Sequence, residues 1–519
     1  MYKKIEIRHS CIIIHDYHEG EDAMLERTFS TYDKVRHCYN PKGRYYDKRT
    51  KCLYLPLGMD LYFIVKSFGD NIFRKVHPDD YDMIDTIMLK YGPRDDIQKK
   101  AIRFCLGEGE YRNNKNAPQI QLNLNTGVGK TYVAIAVSAV LSVKTMMITS
   151  SLDWINQWKD RLLEYTNLKE DEIYVIAGSS SIGKLLRFQK KDKIKFYLCS
   201  HDTLKSFATK YGWENIRKLF ITLKIGLKIY DEAHLYFDNI CMIDFFTDVW
   251  KTFYLTATPN RSDNKENYIY QITFKNVPKL SLFNEQSDPH TDYIAILFNS
   301  HPSPMDISDC QGMCGFNTKK YTQYLITRPN YYKILEMIMN IISSQTSHDG
   351  KVLIYIGTNK AIQVTRYWLN YYFPQYSIGI FSSLTPKDQK YNELNNKIIL
   401  TTTHSAGAAL DIKGLEMTIL LNEPFKSQVY ARQTLGRTRD EDTKYIEVVD
   451  IGFEAIRFYY NYKKKIFRKY AKSMSEIRLT DFEMNNMLSN IHKEKQKQLE
   501  EQYKNPNLGK EIQVVEIKK

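Results

Sequence analysis

Apolar and polar positions alternate along the chain in two rhythms. The first 90 or so residues are mixed. Ile5 to Ile14 has the alternation of a strand, Gly20 to Phe29 that of a helix, and KVRHCYN and RTKCLYLPL read as strands before the helix MDLYFIVKSFG. From Ile97 short apolar strands alternate with amphipathic helices. The strands are IQLNLN (120–125), TMMITS (145–150), IYVIAG (173–178), KFYLCS (195–200), GLKIYD (226–231) and TFYLTAT (252–258). A less regular stretch, about 275–325, interrupts them and contains Pro302, Pro304 and Gly312. The rhythm resumes with KVLIYIG (351–357), YSIGIFS (376–382), KIILTTT (397–403), MTILLNE (417–423) and YIEVVDI (445–451). Buried strands alternating with helices predict a parallel sheet covered on both faces. The fold class is therefore α/β, with two such domains in tandem, a small α+β domain before them and a helical tail after them. The boundaries fall at 1–90, 91–275, 276–325 (a connecting segment), 326–455 and 456–519.

Composition narrows this picture. The 519 residues carry 74 Lys+Arg against 60 Asp+Glu, a formal net charge of +14. A surplus of this sign attracts polyanions, nucleic acid above all, although it also serves solubility. Apolar runs are too short to span a bilayer, and the start MYKKIEIRHSC lacks the apolar core of a signal peptide. The expected location is the cytoplasm, that of the host if the chain is viral. Eight scattered cysteines fit a reducing compartment. Cys310 and Cys314 form a lone CxxxC, two ligands where zinc needs four.

The segment 41–52, PKGRYYDKRTKC, sets five basic residues and two tyrosines around one aspartate. On a hairpin it could grip a phosphate backbone or simply be a solvated tip. The tail YYNYKKKIFRKYAK (459–472) mixes aromatics with cations; it is expected to pack as an amphipathic helix on the second α/β domain.

The chemistry begins at NTGVGKT, Asn125 to Thr131, between a strand and a helix. Gly127 and Gly129 let backbone N–H groups approach phosphate oxygens, and the helix that follows points its positive end at the anion. Thr126 and Val128 complete the loop. Lys130 would neutralise the β- and γ-phosphates of ATP, and Thr131 would bind Mg²⁺. Leu124 stands where the general pattern has its first glycine. Farther on, Asp231-Glu232-Ala233-His234 ends an apolar strand. At such an edge Asp231 can hold Mg²⁺ through its water shell while Glu232 orients and deprotonates the attacking water. Without the loop upstream, the same pair would read as a helix N-terminus.

Together these residues resemble the superfamily 2 helicases. Gln98, TGVGKT, DEAH, Thr256-Ala257-Thr258 and QTLGRTR (433–439) occur in that family's order. SSLDWINQW (150–158), SHDTL (200–204), Gly357-Thr358 and HSAGAALDIKGL (404–415) fill the gaps. The match covers about 95–455 and implies two RecA-like domains closing on ATP. The resemblance assigns Gln98 to the adenine edge and Asp411 to the ribose. It brings Gln433, Arg437 and Arg439 from the second domain, one arginine stabilising transition-state charge. His234 would couple ATP to strand binding or hydrogen-bond across the domain cleft; Tyr91 and Arg94, by their position just upstream of Gln98, would flank adenine; His404 would be structural. Two positions depart from the pattern. Asp440 replaces the last arginine of QxxGRxxR, with Arg439 one place early as in herpes-type origin-binding helicases, and Ala409 replaces a glycine. Which arginine acts stays open between Arg437 and Arg439.

Residues 29–58, FSTYDKVRHCYNPKGRYYDKRTKCLYLPLG, are similar to the amino-terminal stretch of UvsW-type phage helicases. That resemblance implies an enzyme of branched DNA (junctions, forks, R-loops), with RNA met in R-loops, in recombination, repair or replication, with 3′→5′ polarity. The alternatives are an origin-binding or transcript-releasing helicase, a restriction-type motor (although no nuclease carboxylate cluster stands in the chain), and a binding protein with a degenerate ATPase core.

Overall fold

The computed structural model describes residues 3–480 except 34–36, 125–127, 188–190, 257–263, 283–290, 313–314, 387–388, 404, 406–411, 426–430, 432–433 and 436–442. It divides into two compact units, Met1–Glu285 and Gln286–Lys519.

In the first unit seven parallel strands run in the order Ile173–Ile176, Phe196–Ser200, Thr145–Thr149, Leu227–Tyr230, Lys251–Thr256, Gln119–Leu124 and Lys279–Leu282. All of the strands expected between 120 and 258 are present. Their side chains point alternately to two cores. Met147, Leu198, Ile229 and Leu255 face the helices Asp96–Leu106, Lys130–Leu141 and Leu152–Tyr165. Met146, Cys199, Tyr230 and Tyr254 face the helices His201–Tyr211, Glu214–Thr222, Phe237–Phe246 and Asn264–Thr273.

That second core also takes in the N-terminal sheet, whose order is Tyr45–Asp47, Cys52–Pro56, Cys11–Ile14, Ile5–Ile7, Ile72–Arg74. The N-terminal residues thus fold into one unit with the larger sheet. The stretch expected as a single strand from Ile5 to Ile14 is two antiparallel strands, Ile7 pairing with Ile12 across a turn.

The second unit repeats the plan, in the order Ile378–Phe381, Ile398–Thr401, Lys351–Tyr355, Leu415–Leu420, Thr443–Asp450, Thr291–Phe298, Ser473–Arg478, all parallel. Two of these strands were not expected. Thr291–Phe298 pairs along its whole length with Thr443–Asp450. It lies in the stretch read as a connection, because the prolines that follow it broke the visible rhythm. The tail, expected to be helical, forms the helix Glu454–Tyr470 and then an edge strand, Ser473–Arg478. As expected, that helix packs on the second sheet, with Tyr460 and Phe467 in its core. No helix among the described residues is long and apolar enough to cross a membrane.

Candidate nucleotide site

Parallel pairing puts the carboxyl ends of all seven strands of the first unit on one edge, where α/β proteins place ligands. Three adjacent strands carry the candidate chemistry there. Gln119–Leu124 leads toward Lys130, Leu227–Tyr230 into Asp231, and Lys251–Thr256 ends on Thr256.

Lys130 opens a twelve-residue helix whose first turn has no side-chain cap. Its N–H groups are therefore available to an anion. Eight of its twelve residues, Tyr132 to Ala139, are buried, so it is clamped between sheet and neighbouring helices. Gly129 precedes it with φ +89°, a left-handed conformation costly for other residues. A Cβ there would stand 2.4 Å from Gln98 Nε2.

Gln98 is buried on the helix Asp96–Leu106, whose cap Asp95 accepts from the Gln98 N–H at 2.8 Å. Its side-chain amide donates to the Val128 carbonyl at 2.9 Å, and its oxygen accepts from the Arg94 N–H at 2.8 Å. The amide retains one N–H and one lone pair, the pattern that meets an adenine edge. Gln98 thus ties the candidate base-reading loop to the phosphate loop. Tyr91 is exposed at the same loop, its carbonyl accepting from Tyr132 Oη at 2.7 Å.

Lys130 Nζ lies 3.0 Å from Glu232 Oε1, both side chains nearly buried. Glu232 has φ +50°, so the backbone turns sharply just beyond the strand. The Glu232 N–H donates to Asp231 Oδ1 at 3.0 Å, and the Trp158 indole N–H donates to Asp231 Oδ2 at 2.9 Å. Burial, then the neighbouring Glu232 charge, raises the Asp231 carboxyl above its ordinary range; Lys130 and the Trp158 bond pull the other way. His234 Nδ1 stands 2.9 Å from Thr256 Oγ1 and 3.3 Å from Glu232 Oε2, linking the second and third strand ends.

The role of Trp158 was missed, although the residue lies in the quoted stretch 150–158. Its signal was a tryptophan on the helix after a neighbouring strand, within reach of a buried carboxylate. A second missed feature lies beneath the site. Lys228 is fully buried in its strand, paired with Asp244 at 2.5 Å, which also accepts from Tyr230 and Tyr254. A lysine inside an otherwise apolar strand was the sign of such a partner.

Asn125, Thr126, Gly127, His404, Asp411, Gln433, Arg437 and Arg439 lie outside the described residues. Lys130, Thr131, Asp231, Glu232 and Gln98 are described.

The family model described as type III restriction enzyme, res subunit, matches residues 91–261. S. cerevisiae Dbp5 bound to RNA and ADP BeF3 superposes with a TM-score of 0.50, at 15% identity, over 76% of this chain and 93% of that one. That likeness shows the fold, two parallel-sheet α/β units of the kind found in RecA-like helicase cores. The helicase/translocase subunit XPB of general transcription and DNA repair factor IIH from Schizosaccharomyces pombe is 21% identical over 434 residues, 72% of this chain and 50% of that protein. T4 UvsW aligns over 92% of this chain and 100% of that one at 14% identity, with a TM-score of 0.35. The chain spans half or less of the length of the curated relatives it matches.

The donor set at this strand edge fits a nucleotide with magnesium. One hydroxyl and one carboxylate suit a small hard cation that keeps several waters and shares oxygens of phosphates held at the free helix N-terminus. Thr131 and Asp231 would hold the cation, which would supply charge neutralisation at the phosphates.

Proposed function

We propose that this chain is an ATP-driven DNA helicase or translocase acting on branched DNA, with 3′→5′ polarity. The observation that carries the reading is the Lys130–Glu232 pair. It sets a phosphate-binding cation 3.0 Å from a carboxylate suited to orienting water, on two different strand ends of one sheet edge. Lys130 holds the β- and γ-phosphates; Glu232 accepts the proton of the attacking water; His234 ties Glu232 to Thr256 and so to the next strand. Gln433, Arg437 and Arg439 are proposed on motif order alone as the further catalytic set, and Asp411 as the ribose contact. DNA as the track is supported by the basic surplus and by the XPB relative.

Branched substrates rest on the similarity of residues 29–58 to UvsW-type helicases, which also favours recombination, repair or replication as the setting. The structure narrows the basic segment 41–52. Lys42 pairs with Asp238, and Arg44 is buried 4.0 Å from Glu26, so two of its five cations are turned into the protein. Lys48, Arg49 and Lys51 remain at the hairpin tip. A viral source is proposed from the same phage-type resemblance, and the cytoplasm of the host from the scattered cysteines.

Lys130→Ala and Glu232→Gln are expected to abolish hydrolysis stimulated by single-stranded or forked DNA while leaving DNA binding intact. Undiminished stimulated hydrolysis in both variants would sink the reading. Matched DNA and RNA junctions, forks and plain duplexes then decide the substrate class.

A further inference from the structure

Ser30–Asp33 and Cys38–Pro41 form a two-stranded antiparallel hairpin that joins neither larger sheet of its unit. Such a hairpin is marginal in water unless something holds it. Here the root is fastened to the ATPase core. Gly43, just after the hairpin, has φ +68°, and a Cβ there would stand 3.2 Å from Ile269 Cγ2 and 3.3 Å from Phe237 Cζ. Lys42 pairs with Asp238 and, at 3.7 Å, with Glu266. Phe237 and Asp238 open the helix that follows His234. Glu266 and Ile269 lie on Asn264–Thr273, the next helix after the Thr256 strand. The hairpin is therefore mounted on the two helices that leave the second and third strand ends of the nucleotide site.

Farther from the root, Tyr32 and Tyr39 are direct cross-strand partners. Their rings lie 5.2 Å apart at 59°, and they are 50% and 59% exposed. The Tyr32 hydroxyl is 3.3 Å from His37 Nδ1. Cross-strand aromatic pairs ordinarily cover a sheet face; this pair stands in solvent. His37, Cys38 and Pro41 beside it are also exposed, but they do not extend the rings into the broad apolar patch a protein partner would need. What two exposed rings offer is a π-face for stacking without sequence choice, on a chain whose net charge of +14 draws in polyanions.

We propose that the Tyr32–Tyr39 pair is a stacking wedge for an unpaired base beside a DNA branch point, tied through Lys42 and Gly43 to the helices behind the nucleotide site. The inference rests on the helicase reading above. Because the contacts at the root are close-packed, movement of those helices carries the wedge with it.

The test compares the wild-type chain, Tyr32→Ala/Tyr39→Ala and Tyr32→Trp/Tyr39→Trp on a fork with 2-aminopurine at the first unpaired position. Fluorescence quenching on binding, fork unwinding and single-strand-stimulated hydrolysis are read, with thermal melting as a control. The alanine pair is expected to lose the quenching and to unwind about tenfold more slowly, with stimulated hydrolysis and melting within about twofold and a few degrees of wild type. The tryptophan pair is expected to retain quenching and unwinding. Wild-type quenching and unwinding in the alanine pair overturn the proposal. So does a loss of melting temperature and hydrolysis in step with unwinding, which makes the rings part of the fold. If single-stranded or forked DNA does not speed wild-type hydrolysis, the helicase reading fails instead, and quenching on binding still decides the wedge.

Discussion

The Trp158 indole donates its N–H to Asp231 at 2.9 Å, deep in the first unit. That bond favours the charged carboxylate in a place where burial opposes it. Trp158→Phe keeps the ring and removes the donor. A hydrogen bond to a charged group contributes about 1.5–3 kcal/mol. The variant should therefore need about tenfold more Mg²⁺ for half-maximal hydrolysis. The sign of the pH effect follows from the same bond. Without it the Asp231 carboxyl rises further, so activity falls away at a higher pH as the solution is acidified. Magnesium titrations and pH profiles of both proteins check this. Unchanged curves would mean that Trp158 only fills space.

Gly129 and Gln98 make a second linked pair. Gly129→Ala places a Cβ 2.4 Å from Gln98 Nε2 and holds alanine at φ +89°. Backbone strain of this kind costs roughly 1–3 kcal/mol. The larger effect should be on binding, since Gln98 must leave the Val128 carbonyl to make room. We expect nucleotide affinity to fall at least about tenfold, with melting lowered by a few degrees. Gln98→Ala should instead narrow the preference for ATP over GTP and leave the phosphate loop standing. Calorimetric titration with both nucleotides separates the two outcomes.

These pairs show what was readable before the structure. Strands such as KFYLCS and KVLIYIG announce themselves because a parallel sheet buried on both faces demands continuous apolar runs. Lys130, Asp231 and Glu232 were legible because phosphate and magnesium restrict both residue type and order. Thr291–Phe298 is just as apolar, yet Pro302 and Pro304 just after it break the alternation of strand and helix by which the other strands declare themselves. Trp158 was hidden for a different reason, since its bond to Asp231 crosses between neighbouring strand–helix units. The Lys42–Asp238 pair could not be read either, because it depends on how the N-terminal sheet lies on the larger one.

Glu423, in the second unit, gives a pH-dependent prediction. It accepts from the Thr403 N–H at 2.9 Å and the Thr403 hydroxyl at 2.6 Å. Burial nevertheless pushes its carboxyl up to about 7 from a reference of 4.5. Between those values the folded chain holds a proton that the unfolded chain has released. Stability therefore declines as pH rises through the window and levels off above about 7, by at most about 3 kcal/mol for this group. Glu423→Gln removes the titration. Its melting temperature should gain on wild type steadily from about pH 5 to pH 7 and run parallel above. A constant difference across that range would show that Glu423 is ionised throughout.

The last prediction concerns Lys463 and Glu447. Both side chains are almost fully buried in the second unit and paired with one another. Glu447 also accepts from the Tyr293 hydroxyl at 2.7 Å, and the Lys463 ammonium lies 4.2 Å from the centre of the Phe425 ring. Each charge is tolerated inside only because the other is present. Lys463→Met fills the same volume but leaves Glu447 with one neutral donor, so it should cost about 3–5 kcal/mol. Removing both charges with Lys463→Met/Glu447→Gln should recover most of that loss, because no uncompensated charge remains and glutamine still accepts from Tyr293. Chemical denaturation of wild type, the single variant and the double variant measures the coupling. A double variant as unstable as the single one would mean that the pair contributes direct attraction rather than mutual neutralisation.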